Sequence, residues 1–70
     1  MALSQRIIEV LRTHPDHIFT VKDIVDRTGG SNNAVRTALS RMTSKVPKKD
    51  PISKIDHGLY MFDPTIEKHL

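Results

Sequence analysis

The stretch from Thr20 to Met42, TVKDIVDRTGGSNNAVRTALSRM, holds two helix starts separated by one glycine break, and it constrains the fold more than any other part of the chain. Thr20, with Asp23 three residues on, has the form of a capping box, in which a hydroxyl and a carboxylate satisfy backbone N–H groups at a helix start. Val21, Ile24, Val25 and Thr28 follow at helical spacing and predict one apolar side. Gly29 and Gly30 then stop the helix. Ser31 predicts a second N-cap, followed by Val35, Ala38, Leu39 and Met42 as a buried stripe. This second helix should run from Ser31 to about Ser44. Its opposite face displays Asn32, Asn33, Arg36, Thr37, Ser40 and Arg41, with no acid among them.

The remaining elements brace this pair. Leu3 to Thr13 predicts a helix with Leu3, Ile7, Ile8 and Leu11 on one stripe, ended by His14-Pro15 because a residue before proline is pushed out of the helical region. Ile18 and Phe19 form a short extended piece suited to the edge of a small sheet. After Lys45 the segment VPKKDP excludes both helix interior and central strand. Ile52 to Asp56 and Leu59 to Phe62 predict two strands joined by the two-residue turn His57-Gly58. That turn sets Ile55 opposite Tyr60 and Ser53 opposite Phe62 on an inner face, with Lys54 opposite Met61 on the outer one. Asp63-Pro64 closes the second strand, and Thr65 to Leu70 either begin a last helical turn or fray. The expectation is one α+β domain over residues 1–63, with three helices packed with a small antiparallel β-hairpin sheet, and a tail over residues 64–70.

At 70 residues the chain is near the lower end of what folds alone, since a domain this small buries only about 60% of its unfolded surface. With no cysteine it can form neither a disulfide nor a thiolate zinc site, so nothing points to an oxidising compartment. Gln5, Arg6 and Glu9 interrupt the N-terminal apolar residues, which argues against a signal peptide, and no run approaches the roughly 20 apolar residues of a membrane span. A soluble, cytoplasmic protein is expected.

The net charge is +3, unevenly spread. Residues 1–30 balance at 0, residues 31–54 carry +5 and residues 55–70 carry −2. The excess therefore lies on the second helix of the pair and the segment just after it, the distribution expected of a surface that meets phosphates.

Two helices across a glycine turn, with a polar and cationic face on the second, is the layout of a helix-turn-helix. The order helix, short strand, helix, turn, helix, hairpin extends it. The segments SNNAVRTALSRM and IDHGLYMF resemble the winged-helix family of small prokaryotic and phage transcriptional regulators and antitoxin-type repressors, in which a serine-capped reading helix precedes a hairpin ending in Gly-Leu-Tyr. The resemblance covers about residues 3 to 62. It implies a winged helix-turn-helix fold and binding of double-stranded DNA in transcriptional regulation.

The residue types suit that chemistry. Asn32 and Asn33 can each present a donor and an acceptor to adenine, Arg36 can take the two acceptors of guanine, and the Thr37 methyl can pack on thymine. Ser31 caps the helix that carries them. Ser40, Arg41, Lys45, Lys48, Lys49 and Lys54 are expected on phosphates, where they supply affinity and orientation but little sequence information. His57 at the hairpin tip could add a phosphate contact that strengthens on protonation. Because the His57-Gly58 tip is short and the lysines stand before it, the Lys48-Lys49 loop should touch DNA more than the tip does. Arg41 has a structural alternative, pairing with Asp23 or Asp26.

Other chemistries fit less well. His14 and His17 flank Pro15 without a third ligand of firm geometry, so no metal is expected. No cofactor is expected either. Gly29-Gly30-Ser31 lacks the lysine of a phosphate-cradling loop, and so small a core leaves no pocket for a nucleophile and its base, so an enzyme is not expected. The rival reading is a winged helix serving as a protein-interaction or assembly module in transcription, replication or defence machinery. Double-stranded RNA is a third, and the few aromatics argue against stacking on single strands. Leu59 and Met61, beside Val10 or Ile66, could form a patch for a homodimer, which would set two reading helices about 34 Å apart.

Overall fold

Local hydrogen bonds fix where each helix of the central pair begins and ends. In a computed structural model, which describes residues 2–44 and 49–67 and the side chains of that set up to residue 65, α2 (Val21–Thr28) opens on the capping box. Thr20 Oγ1 accepts from the Asp23 N–H at 3.2 Å, and the Thr20 N–H donates to Asp23 Oδ2 at 3.3 Å. The helix ends at Gly29, whose φ of 75° is left-handed and whose N–H returns to the Val25 carbonyl at 2.9 Å. Gly30 is constrained by space. A Cβ there would lie 2.9 Å from Leu3 Cδ1 and 3.2 Å from Val35 Cγ2. The first helix, α1 (Leu3–Thr13), and the third, α3 (Asn32–Ser44), therefore both close on the turn.

Three strands complete an α+β arrangement. β1 (Phe19–Thr20), β2 (Ile52–Asp56) and β3 (Leu59–Phe62) form an antiparallel sheet in the order β1-β3-β2. The extended piece before α2 does join a sheet edge, but as Phe19–Thr20; Ile18 lies outside the strand and is exposed. A single turn, α4 (Pro64–Glu67), follows β3, with Asp63 Oδ1 accepting from the Thr65 N–H at 3.1 Å. The three longer helices pack on one another, α1 lies against β3, and α3 lies against β2. Between them sit Ile7, Ile8 and Leu11 of α1, Phe19, Ile24, then Val35, Leu39 and Met42 of α3, and Ile52, Tyr60 and Phe62 of the sheet. The expected helical stripes and the inward placement of Tyr60 and Phe62 are thus observed.

The hairpin register departs from expectation by one residue. Asp56 pairs with Leu59 across the His57-Gly58 turn, as the turn requires, with Gly58 at a φ of 73°. Beyond it a bulge at Ile55 shifts β2, so that Lys54 faces Tyr60, Ser53 faces Met61 and Ile52 faces Phe62. Ile55 does not oppose Tyr60, Ser53 does not oppose Phe62, and Lys54 does not oppose Met61. The reason lies in what each register would bury. A one-residue slip exchanges the two faces of a strand. The observed register buries Ile52 completely and leaves Ile55 48% exposed. Ser53, which a regular hairpin would turn inward, instead donates to Asp63 Oδ2 at 2.8 Å. Either register buries one isoleucine, so what separates them is the serine: the observed one keeps the Ser53 hydroxyl out of the apolar layer and gives it a partner.

Phe19, fully buried, is the joint between the sheet and the loop that precedes it. The His17 ring meets it edge-on at 4.5 Å between centroids, His14 lies at 6.2 Å, and the Arg27 guanidinium carbon sits 5.5 Å from the ring centre. The two histidines are surface residues, as expected, with an unforeseen packing role.

The Asp23 carboxyl is held below its ordinary pKa, chiefly by the backbone bond from Thr20, then by the Thr20 side chain; desolvation opposes this, and His17 and Arg27 add attraction. A lowered folded-state value means that its contribution is present above the ordinary carboxylate range and is lost as pH falls through the lowered value.

Two outcomes follow. Thr20→Ala should cost about 1 kcal/mol, a fall in Tm of about 4–8 °C for a chain of this size, and an unchanged thermal melt would show that the cap is dispensable. Melts taken from neutral pH down through the carboxylate range should show Asp23→Asn losing less stability than the parent chain. Parallel loss in the two chains would mean that Asp23 is not linked to folding.

Candidate nucleic-acid interface

The outward face of α3 is built by its cap and by the stripe beneath it. Ser31 Oγ accepts from the Ala34 N–H at 3.1 Å and the Ser31 carbonyl accepts from Val35 at 3.0 Å, which starts the helix. Val35, Leu39 and Met42 are then buried, and Ala38 and Thr43 are half-buried. Asn32, Asn33, Arg36, Thr37, Ser40, Arg41 and Ser44 are consequently exposed. The candidate reading residues all stand on solvent.

Spacing along the helix divides this face. Asn33, Thr37, Ser40 and Ser44 follow one another at intervals of four, three and four, so they share one ridge. Arg36 and Arg41, five residues apart, lie on opposite flanks of it. Thr37 Oγ1 donates to the Asn33 carbonyl at 2.9 Å and Ser44 Oγ donates to the Ser40 carbonyl at 2.6 Å. These back-bonds occupy the hydroxyl protons, so the ridge offers amide and methyl groups more than free O–H donors. No acid lies on α3, and its 13 residues give a rod about 20 Å long. With side chains such a rod is about 10–12 Å across, against a major groove about 12 Å wide.

On the Arg36 flank the hairpin comes alongside. Arg36 and Ser40 line a notch of about 170 Å³ together with Lys54 and His57 of the hairpin, and Val21, Gly58 and Tyr60 complete its walls. The bulge produces this juxtaposition, since it sets Lys54 opposite Tyr60. Among the described residues neither Arg36 nor Lys54 has an acidic side chain within 4.0 Å. The neighbouring Asp56 carboxylate accepts from the His57 N–H at 2.7 Å. A second concavity, about 440 Å³ between α1 and α2, is lined by Arg6, Glu9, Val10, Thr13, Arg27 and Thr28 and so mixes both signs of charge.

The other candidate residues fall out as follows. Lys49 is exposed just before β2, whereas Lys45 and Lys48 lie outside the described residues, and with them most of the loop expected to touch DNA. Arg41 makes no described ion pair with Asp23 or Asp26; the side chains acting electrostatically on Asp23 are His17 and Arg27. Leu59, Met61 and Val10, named for a dimer patch, are half-buried, and the Ile66 side chain lies outside the described set. Among the described residues no group of three or more His, Cys, Asp or Glu side chains could hold a metal ion, and no described helix is long and apolar enough to cross a membrane.

Val21, Gly58 and Tyr60 were not legible as neighbours of Arg36, because tertiary packing of α2, the turn and β3 brings them to it. No protein-family model matches the chain, and no curated protein and no solved structure is significantly similar to it.

A face kept for recognition should contribute little to folding. Asn33→Ala and Thr37→Ala should each leave the chemical-denaturation stability within about 0.5 kcal/mol of the parent, whereas Leu39→Ala beneath them should cost about 2–5 kcal/mol. A loss at Asn33 or Thr37 comparable to that at Leu39 would make the outer face structural.

Proposed function

We propose that the chain is a winged helix-turn-helix domain that binds double-stranded DNA and serves as, or within, a small transcriptional regulator. The observation that carries this reading is the exposed, acid-free face of α3, whose neutral polar ridge is flanked by Arg36 and Arg41. The α+β arrangement, with three helices and a three-stranded antiparallel sheet, is compatible with a winged helix. In this reading α3 enters the major groove, Asn32, Asn33, Arg36 and Thr37 meet base edges, and Arg41 on the far flank meets the backbone. Arg41, Lys45, Lys48, Lys49 and Lys54 supply the sequence-independent share of affinity.

The charge distribution supports the same partner. The +5 balance of residues 31–54 includes the whole of α3 and the approach to β2, while the rest of the chain sums to −2. A basic side opposite a neutral or acidic one orients a protein on a polyanion.

The test is binding to a mixed-sequence duplex over a series of salt concentrations. If about five cations neutralise phosphates, log affinity should fall against log salt with a slope of about −4 to −5, at roughly −0.9 per phosphate. Absence of duplex binding, or affinity insensitive to salt, would contradict the reading and favour the protein-interaction module.

A further inference from the structure

The α3–hairpin notch gathers groups that the fold alone does not need together. Two elements far apart in sequence contribute cations to it, Arg36 from α3 and Lys54 from β2. Ser40 adds a hydroxyl and His57 an imidazole, and among the described residues no acidic side chain lines the cavity. Bringing two like charges to one concavity is unfavourable unless solvent or an anion offsets it. Pairing with a carboxylate is the usual solution, and among the described residues neither cation has one within 4.0 Å. The α1–α2 groove shows the contrast, because there Glu9 lines the same concavity as Arg6 and Arg27.

Size and chemistry narrow the anion. A space of about 170 Å³ is small for a nucleobase with its sugar and sufficient for one tetrahedral oxyanion. Arg36 can offer two parallel N–H donors, Lys54 a point charge, and Ser40 and His57 one donor each, which suits several oxygens on one centre. Arg36 is also off the central ridge of α3, on the side that faces the hairpin. In that position it is removed from the line of Asn33, Thr37 and Ser44 along which base edges would be read.

We infer that Arg36, Ser40, Lys54 and His57 form a seat for a single phosphate group, supplied by the backbone of the bound duplex, and that Arg36 grips this phosphate instead of pairing with guanine. The inference rests on the nucleic-acid reading for the source of the phosphate, but the seat itself stands on the geometry of the notch. It changes the role that residue type alone gives to Arg36. Discrimination between sequences then falls to Asn33 and Thr37 on the ridge, and the hairpin fixes how deeply and at what angle α3 enters the groove.

Two measurements on the full chain test this, with circular dichroism confirming that each variant is folded. The first compares the parent, Arg36→Gln and Lys54→Gln on several unrelated duplexes. Each variant should reduce the steepness of the log affinity against log salt line by about 0.9, with the same fold-loss on every duplex. An Arg36→Gln chain that keeps the parental slope and loses affinity on some sequences only would overturn the inference and return Arg36 to a base. The second follows amide and side-chain NMR signals of the free protein during titration with inorganic phosphate, against chloride at equal ionic strength. Saturable shifts at Ser40, His57 and Gly58, absent from the Arg36→Gln, Lys54→Gln double variant, support the seat. No phosphate-specific shift there overturns it. Phosphate shifts in a chain that binds no duplex would uphold the seat while refuting the duplex as its source, which separates this inference from the functional reading.

Discussion

The chain's passage through Gly29 and Gly30 is the constraint on which the rest of the structure depends. Gly29 reverses direction in a left-handed conformation that side chains rarely adopt, and Gly30 lies where a Cβ would meet Leu3 and Val35. Together they let α2 end and α3 begin within three residues, with α1 closed over the junction. A bulkier turn would lift α3 off the core. Because the turn is tight, the Val35-Leu39-Met42 stripe lands against α1, α2 and β2, and the remaining side chains of α3 have nowhere to go but solvent.

That placement links packing to chemistry. The helix contributes buried area on one side only, so its outer residues are free of stability constraints, and in this chain they are Asn, Thr, Ser and Arg. The sheet does comparable work. β3 is its central strand, holding Tyr60 and Phe62 inward, while β2 brings Lys54 up to the same flank of α3 as Arg36. Folding and the candidate surface are thus two faces of one arrangement: the apolar residues set the angle of α3, and the polar ones inherit it.

How much of this was legible in the sequence depends on how local each determinant is. The Thr20–Asp23 box, the Ser31 cap and the glycine stop act within four residues, so the bounds of α2 and α3 and the exposure of their polar residues could be read directly. The α1 bounds were equally readable from the spacing of Leu3, Ile7, Ile8 and Leu11 and the proline after it. The β2–β3 register was not. The His57-Gly58 turn fixes the first pair, but which side chains of β2 enter the core, a tertiary matter, decides the rest through a bulge at Ile55. The candidate site followed the same division: Asn33, Arg36 and Thr37 were readable as an exposed set, whereas the meeting of Arg36 with His57 and Tyr60 is set by tertiary packing, and that with Lys54 by the shifted register as well. The edge-on contact of His17 and the approach of Arg27 to Phe19 also lay beyond pattern reading, since no periodicity reports ring contacts made between a loop, a strand and a helix.

The central claim is that the outer face of α3 meets the duplex. Amide shift mapping during titration with a mixed-sequence duplex tests it most directly, because it reports the bound face residue by residue. The account requires the largest changes at Asn33, Thr37 and Ser40, with Gly58 following, and little change at Gln5, Glu9 and Arg12 on the exposed side of α1. Changes concentrated on that side of α1, with Asn33 and Thr37 unmoved, would contradict it.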